Sequence, residues 1–285
     1  MSTDYQLVRL NNGICSVRSL ADGETFHPVV GPVVEAEALY VKQLRLRERL
    51  QNHVGEFVIW DVGLGAAANG LTVLRATRDL ACRIRLVSFD HTLAPLKFAL
   101  QHAVDLGYFG GYENRLQEFI REHQVDFQDG AQTVNWEFHL GDFPAWLGSQ
   151  KSGRVPAPPH AILFDAYSPA RNPAMWTLPL FTDLFQRLDP ARPCALTTYS
   201  RSTIIRTTLL LAGFYVGVGH ATGLKEETTI AANTLELLTE PLDARWLERA
   251  FRSDSAEPLR EPVYCRSPLA SVTAERLRIH PQFAN

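Results

Sequence analysis

The sequence, 285 residues long, predicts an α/β protein. The expected core is a Rossmann-like, seven-stranded, mostly parallel sheet with a terminal antiparallel hairpin, preceded by a small N-terminal β/helical extension. Three observations predict it. From Phe57 onward, short apolar runs alternate with helical patterns, as in a parallel sheet covered on both faces. The first run ends in a turn of small residues at 61–70. The last two runs are separated only by residues 219–227, too few for the crossover that parallel strands need, so they are expected to pair antiparallel.

Taken in order, residues 5–18 read as short strands, and Asp22-Gly23 as a hairpin turn. Pro32 opens a helical pattern over residues 33–50, with Val34, Ala38, Val41 and Leu44 on one face. The expected core strands are 57–60, 84–89, 134–140, 160–164, 195–199, 214–218 and 228–237. Helices are expected at 71–80, 95–104, 178–188 and 202–212. Residues 148–159, rich in Gly and Pro, read as a loop. The chain therefore divides into an extension (1–55), the α/β unit (56–240) and a Pro- and charge-rich tail packed on the surface (241–285).

Composition narrows the function classes. At 46% hydrophobic, 21% charged and 10% aromatic residues, this is the make-up of an ordinary globular protein. A net charge of -3 argues against a generally basic nucleic-acid coat. Cys15, Cys82, Cys194 and Cys265 are far apart and form no Cys-x-x-Cys pair, so reduced thiols in a cytoplasmic protein are expected. Residues 1–10 are polar and lack a signal-peptide core. The longest apolar stretch, 209–219, falls short of the roughly 20 residues of a membrane span. The nine histidines show no ligand spacing, so no metal is expected.

The chemistry is expected at the carboxyl ends of the strands. Residues 61–70 follow an apolar strand and open a helix, where a ligand can touch backbone N–H groups. Gly63, Gly65 and Asn69 fall in this loop. Asp61, Asp90 and Asp142 each follow a predicted strand. Asp61 is placed for the amino group of a methionine moiety, Asp90 for ribose hydroxyls and Asp142 for an adenine amino group. A loop or cap carboxylate is the competing reading of each. The absent Gly-x-Gly-x-x-Gly and the terminal hairpin favour S-adenosylmethionine (SAM) over NAD, that is, a class I methyltransferase. After the fourth strand comes Asp165, followed by a loop stiffened by Pro169 and Pro173 and ending in Trp176.

Residues 165–176 are similar to the Asp-Gly-Phe-(Ala/Ser)-Pro-Ala-Lys-Asn-Pro-x-Met-Trp signature of the MnmC methyltransferase domain and its stand-alone MnmD relatives. Residues 61–71 resemble that family's Glu-Ile-Gly-Phe-Gly-Thr-Gly-Leu-Asn loop, with Asn69 matched and Ala66 and Ala67 standing for Thr and Gly. Residues 31–41 resemble its Gly-Ala-x-x-Glu segment and place Glu35 at the acidic position; Ala38 stands where relatives often carry His. Residues 196–200 resemble Ala-Thr-Tyr-Thr, followed by Arg206, and residues 219–227 the closing Gly-x-Gly-x-Lys-Arg-Glu, with Lys225 and Glu226. The resemblance covers roughly residues 5–240.

It implies methylation of the aminomethyl group of a modified wobble uridine, with the tRNA anticodon region as partner. No membrane, no metal and no fused FAD oxidase domain are expected. Asp165, with Tyr167, is the expected catalytic pair, orienting the amine and taking its proton. Glu35, Arg171, Asn172, Tyr199, Arg206 and Lys225 are expected to bind substrate. A basic rim for tRNA is sought among Arg45, Arg47, Arg49, Arg171, Arg201, Arg206 and Lys225, the first three read as solvated surface. A small-molecule methyltransferase, a nicotinamide dehydrogenase and a catalytically silent binding protein remain as alternatives.

Overall fold

The computed structural model describes residues 4–149, 156–223 and 226–284. A two-stranded hairpin, β1 (Tyr5–Arg9) and β2 (Cys15–Ser19), stands apart from the main sheet. Its turn lies at residues 10–14, with Gly13 at φ 85°. Asp22-Gly23 reverses the chain once more, closing a single Arg18–Thr25 bridge.

The main sheet contains β3 (Glu56–Val62), β4 (Arg83–Asp90), β5 (Gln124–Asp129), β6 (Gln132–Leu140), β7 (Ala161–Phe164), β8 (Ala195–Thr198), β9 (Tyr215–Gly219) and β10 (Thr228–Ala232). They lie in the order β5-β6-β4-β3-β7-β8-β10-β9. The five strands from β6 to β8 are parallel. The count is eight where seven were expected, because β5 pairs antiparallel with β6. Its sequence offers only Val125 and Phe127 as apolar residues, a half-buried edge pattern. The expected terminal hairpin is present, and its last strand is inserted between β8 and β9, antiparallel to both. All five residues of β10 are consequently buried.

The alternating side chains of β3 enter two cores. Phe57 and Ile59 join one cluster, and Val58, Trp60 and Val62 join the other, the period of two that a strand imposes. Helices α3 (Ala68–Thr77), α4 (Ala94–Gln101), α5 (Ala103–Leu106) and α6 (Glu113–Glu122) follow β3 and β4, and α7 (Phe143–Ser149) follows β6. α8 (Leu178–Gln186) and α9 (Thr203–Ala212) follow β7 and β8. α10 (Ala244–Phe251) and α11 (Ser271–Arg278) place Trp246, Leu247 and Leu277 in the second core. Near the chain end, the Gln282 amide bonds the N–H and C=O of Val216 at 2.7 Å each. It thereby covers part of the open edge of β9, where unpaired backbone groups invite another chain.

The helix expected over 33–50 is broken. It becomes α1 (Pro32–Ala36), a π-helical turn at Glu37–Lys42, and α2 (Leu46–Gln51). Arg45 sits between them at φ 51°. The wider π turn closes with Gln43 N donating to Ala38 O at 3.1 Å, and its extra residue rotates everything before it. Val34 is thus 53% exposed, against expectation, while Glu35, Leu39 and Tyr40 are buried. Such turns recur at functional sites, and this one buries Tyr40 completely.

Candidate active site

The carboxyl ends of β3, β4 and β7 open onto a cavity of about 680 Å³. Its far wall is the N-terminal segment, with Glu24, Phe26, His27 and Glu35 in the lining.

The loop after β3 forms the floor. Gly63 has φ 97°, and a Cβ there would lie 2.6 Å from the Asp165 carbonyl oxygen, so no larger residue fits. Gly65 has φ 51° and donates its N–H to Asp90 Oδ2 at 2.9 Å. Ala67 adopts φ 62°, a left-handed conformation costing an alanine roughly 1–2 kcal/mol. In the resembled motif a glycine stands there. α3 then starts without a side-chain cap, leaving its first N–H groups available to an anion.

The three strand-end carboxylates differ. Asp61 is fully buried and outside the cavity lining. Its Oδ2 accepts from Ser88 Oγ at 2.8 Å, and Ser88 Oγ accepts from Trp136 Nε1 at 2.9 Å. Asp61 Oδ1 has no partner among the described residues. Burial, only partly offset by Ser88, pushes the carboxyl up to about 7. Asp90 lines the cavity; its Oδ2 holds Gly65, and its Oδ1 accepts from Thr92 N at 3.3 Å. Asp142 lines the cavity too, and its Oδ1 caps the start of α7 through Ala145 N at 2.8 Å.

Asp61 makes stability depend on pH. An unfolded Asp loses its proton near pH 4, but the folded group keeps its proton up to about 7. Stability from this group is therefore full below about 4 and falls as pH rises to about 7, by on the order of 4 kcal/mol. Asp61→Asn keeps the acceptor for Ser88 and removes the titration. The wild-type melting temperature without ligand should thus fall relative to the variant between pH 4 and 7; parallel curves would refute this.

Asp165 follows β7 and faces Gly63. Its Oδ2 accepts from Asn69 Nδ2 at 2.7 Å and lies 3.7 Å from His27 Nε2. His27 Nδ1 in turn lies 3.9 Å from Glu35 Oε1. His27 went unnoticed in the sequence because nothing local marks it; folding across the sheet brings it here. Its φ of 47° is the sole peculiarity, and no sequence pattern announces it.

The loop beyond Asp165 is held from several sides. Tyr167 O accepts from Trp176 Nε1 at 2.7 Å, and Tyr199 Oη donates to Ala166 O at 2.9 Å. Ser168 donates through N, at 3.3 Å, and Oγ to the Glu24 carboxylate. Burial raises both phenols, Tyr167 and Tyr199, far above the ordinary tyrosine range, so each acts as a neutral hydroxyl. Trp176 is fully buried against Phe164. Arg171 is exposed at the rim beside Gly23, and Asn172 joins the lining.

Two expected substrate residues stand apart. Arg206 is buried outside the lining, donating to Thr229 Oγ1 at 3.1 Å and Thr228 O at 2.8 Å and pairing with Glu227 at 3.2 Å. It clamps α9 to β10. Lys225 lies outside the described residues. Of the arginines read as solvated surface, Arg45 and Arg47 pair with Glu48 and Asp79. Arg49 departs from that reading: it is largely buried, bonding His160 O at 2.7 Å over the Phe57 ring.

Residues 111–234 match the model of a family described as S-adenosyl-L-methionine-dependent methyltransferase. Over that segment the chain is similar to SAM-dependent methyltransferases. Over 97% of its length the chain superposes on MNMC2 from Aquifex aeolicus, covering 84% of that chain with a TM-score of 0.71 at 20% identity; this shows the shared fold. It is 25% identical over 248 residues to the tRNA 5-methylaminomethyl-2-thiouridine biosynthesis bifunctional protein MnmC of Leptospira interrogans, covering 84% of this chain and 37% of the relative. The namesake from Aeromonas hydrophila is 28% identical over 237 residues, covering 75% and 33%. The chain thus spans about a third of the length of these curated relatives. The resemblance read from residues 165–176 is borne out by them.

The residues fit the cofactor. The cavity is within the usual range for such ligands. Two glycines line its floor where a Cβ would intrude, the α3 start is uncapped, and Asn69 Oδ1 is buried without a partner among the described residues. No described helix is long and apolar enough to cross a membrane. Among the described residues, no group of three or more His, Cys, Asp or Glu is placed to hold a metal ion.

Proposed function

We propose that this methyltransferase methylates a primary amine, the aminomethyl group of a modified wobble uridine in tRNA, in the cytoplasm. The observation that carries this is the Asp165 carboxylate, a cavity-lining anion fixed by Asn69 on one oxygen. Among the described residues no donor is hydrogen-bonded to its Oδ1. That oxygen is available to a cationic amine. The relatives' printed names supply the tRNA context.

In this reading the backbone of residues 63–69 and the α3 N-terminus hold the amino-acid end of the cofactor, with the buried Asp61 carboxyl behind them. Asp90 takes the ribose and Asp142 the adenine edge. Bound there, SAM would supply an electrophilic methyl group to the amine nitrogen, its sulfonium becoming a thioether. The chain's own residues align the amine and free its lone pair. At pH 7 only about one primary amine in a thousand is neutral, with Lys as the guide, so Asp165 Oδ1 receives the ammonium and accepts its proton. Tyr167 and Tyr199 wall the acceptor, Glu35 adds negative charge, and Arg171 and Asn172 at the rim meet the anionic body of the substrate.

Labelled methyl from SAM should enter tRNA carrying 5-aminomethyl-2-thiouridine and not a metabolite extract. Label confined to the metabolites would replace this reading by a small-molecule methyltransferase.

A further inference from the structure

We infer that His27 is the proton reservoir of the site: it acts through Asp165, taking up the proton that leaves the amine. The inference rests on the amine acceptor proposed above. Its basis is geometric. The ring bridges two carboxylates from distant parts of the fold, Nε2 3.7 Å from Asp165 Oδ2 and Nδ1 3.9 Å from Glu35 Oε1. Its side chain is 8% exposed and lines the cavity. The backbone holds the unfavourable φ of 47°, fixed by Phe26 N donating to Val17 O at 2.8 Å and by the Ser16 hydroxyl on Phe26 O. A left-handed non-glycine residue persists only where its surroundings over-determine it, often at working sites.

A carboxylate alone is a poor sink for an ammonium proton, being far less basic than the amine. An imidazole is the side chain whose ordinary titration falls in the neutral range. The proton passes from the ammonium to the Asp165 carboxyl and, once that carboxyl turns and closes the 3.7 Å separation to the ring, on to His27 Nε2. The amine becomes neutral and the ring an imidazolium, its charge matched by Asp165 on one side and Glu35 on the other. After transfer the ring gives the proton to solvent through the cavity, and the site resets.

The other titratable groups around this trio are Tyr40 on the π-helical turn, Tyr199 after β8, Tyr108 after α5, Glu24 on the N-terminal wall and Asp61 behind the loop. Burial keeps the three phenols protonated, so they do not compete for the proton. Glu24 is tied to Ser168. Asp61 is separated from the cavity. His27 is the basic group left in contact with Asp165.

His27→Asn suits the left-handed backbone, and His27→Gln serves as a second variant. Both should bind S-adenosylhomocysteine within threefold of wild type, which establishes folding. At pH 7 each should lose about a hundredfold in kcat/KM toward the tRNA. The deficit should shrink to a few-fold by pH 9, because the neutral amine in bulk rises about tenfold per unit. A merely structural role would give the same deficit at every pH, and that result overturns the inference. A readout free of turnover accompanies it. By NMR at pH 7, the His27 ring-nitrogen signals should differ between wild type and Asp165→Asn, since the ring faces the Asp165 carboxylate; identical signals overturn the coupling. A wild-type enzyme that leaves the tRNA unmethylated overturns the proposed function and the inference with it. A methylating enzyme with a pH-independent His27 deficit overturns the inference alone.

Discussion

Asp165→Asn is expected to bind S-adenosylhomocysteine within about threefold of wild type while losing about a thousandfold in methyl transfer. The substituted amide keeps the shape of the carboxylate and retains an oxygen for Asn69 Nδ2, now at 2.7 Å from Oδ2. The loop that receives the cofactor thus stays in place. What disappears is the negative charge and the ability to accept a proton. The loss should fall on kcat and kcat/KM alike, as for an interaction made on the way to the transition state. Calorimetry with the product cofactor, together with labelled-methyl kinetics, separates the two effects. Undiminished turnover would remove Asp165 from the chemistry and leave it as a positioning group for Asn69.

The second large effect is structural in origin. In Gly63→Ala the new methyl group would stand 2.6 Å from the Asp165 carbonyl oxygen, on a backbone with φ 97°. A forbidden conformation and an overpacked contact together cost on the order of 3–5 kcal/mol. Relief comes only by parting the ends of β3 and β7, which displaces Asp165 from Asn69. We expect a melting temperature lowered by several degrees, with cofactor affinity reduced at least tenfold even at temperatures where the protein is folded. Gly65→Ala is the milder comparison, since its nearest neighbour is the Phe26 ring edge at 3.3 Å, a side chain free to yield. Equal losses in the two variants would contradict this account.

The difference between these glycines shows where sequence reasoning reaches. That residues 61–70 form a strand-to-helix turn was legible, because an apolar run followed by small residues has few other uses. That Gly63 faces the Asp165 backbone was not, since the contact spans the sheet. Similarly, β4 and β7 announce themselves as apolar runs and β6 by its longer alternation of Val134, Trp136, Phe138 and Leu140, but β5 alternates only Val125 and Phe127 with polar residues and hides as a loop. Its signal was the Asp129-Gly130 turn, with Gly130 at φ 61°, between alternating segments. The helix over 33–50 was misread in register because periodicity assumes 3.6 residues per turn throughout, and a π turn violates that. Arg206 was drawn to the site by motif similarity, yet its guanidinium is consumed by β10 and Glu227. His27 lay outside every pattern, for its meaning comes wholly from Glu35 and Asp165.

The tie between Glu24 and Ser168 joins residues 144 positions apart, and that between Asn69 and Asp165 joins residues 96 apart. Contacts of such long range are slow to form, because the intervening chain must first surrender its freedom. During synthesis Glu24 and Asn69 therefore wait for these two partners until the strand bearing Asp165 has left the ribosome and docked beside β3. No earlier fragment has a pocket to offer. The lining of the cleft draws on residues from Tyr5 to Tyr199, so its completion marks how far the chain has matured.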